Sequence, residues 1–218
     1  MTDTPLSIPD LIAQLSDPDP DVRHSAVRAL RRAKVVEAIE PLKEVIRSDT
    51  DEGTRLAALH GLGGVGDASV LPFFFDLFSD EYLSSSAASI AAEFTPFCIQ
   101  PLMTLASNKQ ETLKVRTAAT YGLMCCASQL VGKHSPVRNP ELAEPIITLL
   151  LELCKDEQAE VAQSAVDAFR YVRVSRATQP LIALLDDPSA GIRWRAVDSL
   201  ACIGDVEAID PIISCLKD

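Results

Sequence analysis

Histidine and cysteine are the side chains best suited to binding a metal or attacking a substrate near neutral pH. This chain has three of the first and six of the second. His24, His60 and His134 stand far apart, and none belongs to a His-Glu-x-x-His pair. Cys98, Cys125, Cys126, Cys154, Cys202 and Cys215 include no Cys-x-x-Cys and follow no regular spacing, so neither a zinc site nor a disulfide framework is written in them. They read as reduced thiols that pack like small hydrophobes. Cys125 and Cys126, adjacent at a helix end, leave open a role as a metal or iron–sulfur maturation adaptor. A Gly-x-x-x-x-Gly-Lys-Ser/Thr phosphate loop and a Gly-x-Ser-x-Gly elbow are both missing. The residues therefore point away from a resident nucleophile, metal or cofactor and towards binding. One Trp and three Tyr are present, and Trp194, Tyr121 and Tyr171 are of the types that, with Arg, anchor interfaces.

The elements that position them repeat. Pro9, Pro41, Pro72, Pro101, Pro145, Pro180 and Pro211 recur at intervals of about 30 to 45 residues, the period of a stacked helical array. Each proline opens a helix of two or three turns, in the first turn, where its missing N–H breaks no bond. An acidic turn follows, as at Asp17, Asp49, Asp80, Asp156 and Asp187, where aspartate suits the positive end of the next helix. A second helix then repeats Val-Arg-x-x-Ala-x-x-x-Leu: Val22-Arg23 with Ala26 and Leu30, Thr54-Arg55 with Ala58 and Leu62, Val115-Arg116 with Ala119 and Leu123, Ile192-Arg193 with Ala196 and Leu200. This spacing makes one buried stripe, and the small alanine lets neighbouring helices approach. Several second helices are expected to end at glycine: Gly63, Gly66 and Gly204.

This pattern resembles HEAT repeats, in particular the short bacterial kind described as phycobilin-lyase-like, over nearly the whole chain. The resemblance implies an all-α, right-handed α-solenoid of about six helical pairs plus a terminal helix, forming one domain over 1–218. It also implies a ladder between the turn aspartates and Arg23, Arg55, Arg116 and Arg193. The third repeat, near 70–96, departs: Leu83-Ser84 replaces Val-Arg. The fifth carries Ala162 in the arginine slot, so the ladder is open at both joints. Two further irregularities are an insertion within 107–140 and the run Phe73-Phe74-Phe75, of which at least one ring should be exposed or meet the irregular third repeat. Deoxyhypusine hydroxylase, a HEAT-like enzyme, holds iron through His-Glu dipeptides, and this chain has none.

In HEAT-like stacks the second helices line the concave face. Counting from the Val slot, offsets of two, six and ten project away from the stripe. They place His24, His60, Arg28, Tyr121, Tyr171, Trp194, Asp167 and Asp198 on that face, as a strip that runs from basic at one end to acidic at the other. In the insertion, Lys133, His134 and Arg138 make a basic segment that could touch a partner.

A net charge of -11 argues against a nucleic-acid partner, which needs a basic stripe. No apolar run is long enough to span a bilayer, and the polar start lacks a signal peptide, so a cytoplasmic protein is expected. The reading is a non-enzymatic scaffold or adaptor that docks a protein partner in its concave face. The resemblance adds an alternative: a phycobilin lyase-like or phycobilisome-associated factor handling a linear tetrapyrrole and a phycobiliprotein.

Overall fold

Repeats begin, with one exception, where proline removes a hydrogen bond that no helix would make. In the computed structural model, which describes residues 6–131 and 139–215, Pro41, Pro101, Pro180 and Pro211 fall in the first turn of their helices. Pro145 does not; it lies inside its helix, because that helix starts upstream at Pro140, capped by Asn139. The chain is all-α, with no strand among the described residues.

The helices form two compact units, 1–94 and 95–218. In the first, α1 (Ile8–Gln14) pairs with α2 (Pro20–Ala33), and α3 (Ile39–Ser48) with α4 (Glu52–Val65). There α5 (Leu71–Asp76) packs on α6 (Ser84–Ala92). In the second, α7 (Ile99–Ser107) pairs with α8 (Leu113–Leu130), and α9 (Pro140–Leu153) with α10 (Ala159–Ala168). Next α11 (Thr178–Ile182) pairs with α12 (Ala190–Ile203), and α13 (Ile209–Cys215) follows.

The template's apolar stripe is the core. Ala26, Ala58, Ala119, Ala165 and Ala196 are all buried, as are Leu30, Leu62, Leu123, Phe169 and Leu200 one turn later. Even the weak third repeat obeys, burying Leu83, Ala87 and Ala91 in the same slots. Removing this apolar surface from water is the main drive for stacking the pairs.

Turn aspartates carry two duties. Asp49 accepts the Asp51 amide through Oδ1, and the same carboxylate takes both Arg23 Nε at 2.6 Å and Arg23 Nη2 at 2.7 Å. Arg55 reaches Asp80 at 2.6 Å, and Arg116 grips Asp156 with two bonds of 3.0 and 2.5 Å. Each arginine thus reaches from its own second helix to the next repeat's turn. Ser84 and Ala162 supply no such group, and the turn after Ser84 carries the neutral Asn108. Asn108 keeps only the local duty, accepting the Gln110 amide.

The aromatic run is absorbed into the first unit. Phe74 and Phe78 are fully buried and Phe73 nearly so; Phe75 is half-buried, edge-on to Phe78 at 5.6 Å. Arg47 lies over the Phe73 ring at 4.9 Å, and Phe74 meets Phe94 at 6.0 Å. Of the two outcomes open to the run, exposure or contact with the irregular third repeat, the rings take the second: Phe74 meets Phe94, and α5 packs on α6. Gly66 and Gly204 do end their helices in the left-handed region, at φ 82 and 75. Gly63 instead lies within α4, where a Cβ would stand 2.3 Å from Ile90 Cγ2 on α6.

Two expectations follow. Gly63→Ala, which overpacks the α4–α6 contact, should lower stability by about 1–3 kcal/mol in urea unfolding. Gly64→Ala meets only ordinary contacts with Arg31 and should be neutral or mildly stabilising. The buried rung gives the second. Arg116 lowers the Asp156 carboxyl below its ordinary range, and Arg23 does the same for Asp49. At Asp80 burial opposes, but the amide of Tyr82 and the Arg55 guanidinium win, and the direction is also down. Carboxyls depressed in the folded state stabilise it fully above their unfolded value of about 4, and that contribution fades as pH falls through the depressed values. Stability should therefore drop steadily below about pH 4, and Asp156→Ala should cost about 3–5 kcal/mol at neutral pH by stranding Arg116.

Candidate functional site

The strip anticipated on the second helices divides between the units. His24 and Arg28 lie on α2 and His60 on α4, in the first; Arg28 is exposed and both histidines are half-buried. Tyr121 lies on α8, Asp167 on α10, and Trp194 and Asp198 on α12, in the second. Tyr171 falls in the turn after α10 rather than on the helix, because α10 ends at Ala168. Lys133, His134 and Arg138 lie outside the described residues.

In the second unit, Tyr121, Tyr171 and Asp167 line an open cleft of about 330 Å³, with Met124, Arg170 and Arg195. The helices expose these rings because the apolar stripe turns the other way. Trp194 is 60% exposed, Tyr171 55% and Tyr121 37%, while the stripe residues Ala165 and Ala196 are fully buried. Burial pushes the Tyr121 phenol above its ordinary value, helped by Cys125 one turn on, so it stays a neutral donor at physiological pH. Trp194 is not among the cleft residues; it sits on α12 beside Arg195, whose guanidinium lies 5.8 Å from its ring.

Two residues that the offsets missed organise this face. Arg195 Nε donates to Asp167 Oδ2 at 2.9 Å, and Arg170 contacts Asp198 at 2.6 Å without hydrogen-bond alignment. The pairs cross between α12 and the α10 end, and Ser199 adds a buried bond to the Val166 carbonyl at 2.8 Å. This is the joint where Ala162 omits the ladder rung. Asp167 and Asp198 therefore do not form the acidic end of a charge gradient: each is neutralised by a neighbouring arginine. One signal was legible, since the 28-residue spacing from Asp167 to Arg195 recurs, with the charges exchanged, from Arg170 to Asp198. Half-exposed pairs of this kind contribute about 0–1 kcal/mol each, so orientation rather than stability is their main effect. Asp167 Oδ1 is buried and unpaired, an acceptor left over in the cleft wall.

The adjacent thiols do not converge. Successive helical residues diverge by about 100°, and Cys126 is fully buried against Cys98, Sγ to Sγ 3.5 Å, while Cys125 is half-buried beside Tyr121. Among the described residues no three His, Cys, Asp or Glu side chains gather to hold a metal. The Cys98 contact and burial raise the Cys126 thiol, and burial pushes Cys154 up to about 12. No described helix is long and apolar enough to cross a membrane.

A HEAT-repeat profile matches residues 8–93 and 147–218, and the chain belongs to the HEAT-repeat family. Its relatives include the "uncharacterized phycocyanin operon protein Z" of Pseudanabaena tenuis (strain PCC 7409), 28% identical over 188 residues, which is 85% of this chain and 88% of that one. Among solved structures, a designed armadillo repeat protein in complex with peptide (KR)4 shares the fold at TM-score 0.50 and 17% identity, covering 91% of this chain and 100% of that one. The complex of CpcE and CpcF of phycocyanin lyase from Nostoc sp. PCC7120 aligns at TM-score 0.47 and 17% identity, over 97% of this chain and 82% of that one.

The thiol environments give a direct expectation. Iodoacetamide at pH 8 should leave Cys126 and Cys154 unmodified in the native protein while labelling the half-buried Cys125, Cys202 and Cys215. Mass spectrometry before and after unfolding reads the difference.

Proposed function

We propose that this HEAT-repeat chain is a non-enzymatic scaffold that docks a protein partner on the exposed face of its second helices. Trp194 carries the reading: the only tryptophan of the chain stands 60% exposed on α12, where keeping so large an apolar ring in water has no structural return. Tyr121 and Tyr171 add two amphipathic rings around the cleft, each with an apolar ring and a phenol group to offer a partner. The Arg195–Asp167 and Arg170–Asp198 pairs tie α12 to the end of α10 beside Tyr171, so that side of the face is formed before binding and little order is gained on contact. His24, Arg28, Asp198 and His60 are proposed as further contacts, and Lys133, His134 and Arg138 as contacts from the insertion.

A second reading has one observation behind it, the relative from a phycocyanin operon. In that reading the partner is a phycobiliprotein, and the tyrosines and tryptophan stack on a linear tetrapyrrole while arginines meet its propionates. A role in metal or iron–sulfur maturation draws no support from the separated Cys125 and Cys126 side chains.

The test is capture of partners from an extract of the source cells by wild type, Trp194→Ala and Tyr121→Ala, with a linear tetrapyrrole added separately to the pure protein. Loss of an aromatic anchor should weaken recovery about tenfold or more. Equal recovery by both variants would exclude the aromatic face. A sharpened, red-shifted pigment band in wild type, lost in Trp194→Ala, would favour the pigment reading; an unchanged spectrum would remove it.

A further inference from the structure

Among the described arginines, all but three are occupied. Arg23, Arg55, Arg116, Arg170, Arg176 and Arg195 meet carboxylates. Arg173 and Arg193 donate to carbonyls, and Arg47 covers the Phe73 ring. The three exceptions, Arg28, Arg31 and Arg32, all lie in the last two turns of α2, exposed, with Lys34 capping the helix at φ 52. No carboxylate lies between positions 28 and 34, in a chain whose net charge is -11.

Local physics does not account for all four cations. The negative end of the helix favours a cation in the last turn, which covers Arg31 and Arg32. Arg28 stands one turn earlier and repels Arg31 and Arg32 at three and four residues' spacing. The patch also has a floor. The Arg31 stem rests on α4, with Cγ 3.6 Å from where a Gly64 Cβ would be and Cβ 3.8 Å from where one on Gly61 would be. Two glycines thus let α4 carry that side chain while its guanidinium faces solvent. His24 lies one turn before Arg28, and His60 beside Gly61 on α4.

We infer that Arg28, Arg31 and Arg32 form a docking site for an acidic polypeptide segment, in particular a partner helix with glutamates at i and i+4. This deepens the reading of the second-helix face as a protein-docking surface and rests on it. Arg28 and Arg32 are themselves one turn apart, so their Cβ atoms stand about 5–6 Å apart, the spacing of such glutamates. Planar guanidinium forks match carboxylates two bonds at a time, which lysine does not. A nucleic acid fits less well: the patch spans about 9 Å of helix, and the chain's net negative charge repels a longer phosphate backbone.

The experiment uses a fluorescein-labelled helical peptide with glutamates at i and i+4, read by fluorescence anisotropy against the full chain. Arg28→Gln/Arg31→Gln/Arg32→Gln should bind at least tenfold more weakly than wild type, with an unchanged thermal midpoint by circular dichroism. The corresponding triple Lys variant should fall between, as the forks are lost but the charge kept. Arg173→Gln, which removes an exposed arginine that donates only to the Arg170 carbonyl, should bind the peptide like wild type. Partner capture by Trp194→Ala is scored in its own assay, so a failure of the aromatic face and a failure of this site are read separately. Wild-type affinity in the Gln variant would overturn the inference. So would equal or tighter binding of a single-stranded oligonucleotide of the same charge.

Discussion

A guanidinium from one repeat closing on the turn carboxylate of the next is the interaction on which the rest of this structure depends. The apolar stripe brings helices together without direction, since any leucine face can meet any other. The Arg23–Asp49, Arg55–Asp80 and Arg116–Asp156 contacts set the register, because the same carboxylate also shapes the turn that starts its own second helix. Losing the aspartate would free a helix start and strand a cation in one step. That coupling lets a short repeat with few aromatic residues hold a fixed geometry.

Where the rung is missing, the protein does something else with its charges. At the joint after Ala162, two Arg–Asp pairs tie the second helices together on their exposed face, and the buried Ser199 bond ties them within. The charged pairs are half-open to solvent, unlike the buried Arg116–Asp156 rung. A polar, self-neutralised cleft bordered by tyrosines results, in place of a solvent-facing acidic strip. In the first unit the opposite holds: the arginines at the end of α2 meet no carboxylate among the described residues. Charge on the two faces is therefore distributed by pairing, and the net charge of the chain describes neither of them.

Much of the fold was legible because HEAT-like repeats are local. The period of the prolines, the Val-Arg-x-x-Ala template and the turn aspartates each act within about one repeat, so spacing alone exposed them. Ser84 and Ala162 marked the open joints for the same reason. The site was legible only as residue types. Tyr121, Asp167 and Trp194 could be placed on second helices by counting. The offsets do not reach Arg170 and Arg195, because one sits in a turn and the other is a single position from the slot of Trp194. Tyr171 sits at a helical offset, but α10 ends three residues before it.

By itself, then, the sequence determined the repeat and the buried stripe, since both follow from helical periodicity. The resemblance to HEAT repeats implied the ladder, which Arg23, Arg55 and Arg116 form and Arg193, donating to the carbonyls of Asp187 and Pro188, does not. Only the tertiary structure decided which charges survive. Whether Asp167 presents a free carboxylate, whether Arg31 finds a partner, whether Phe75 is covered and whether Gly63 ends or packs a helix are set by the neighbouring element. Pairing energies fall off over a few ångströms and depend on where a side chain lands, and no count along the chain supplies that distance.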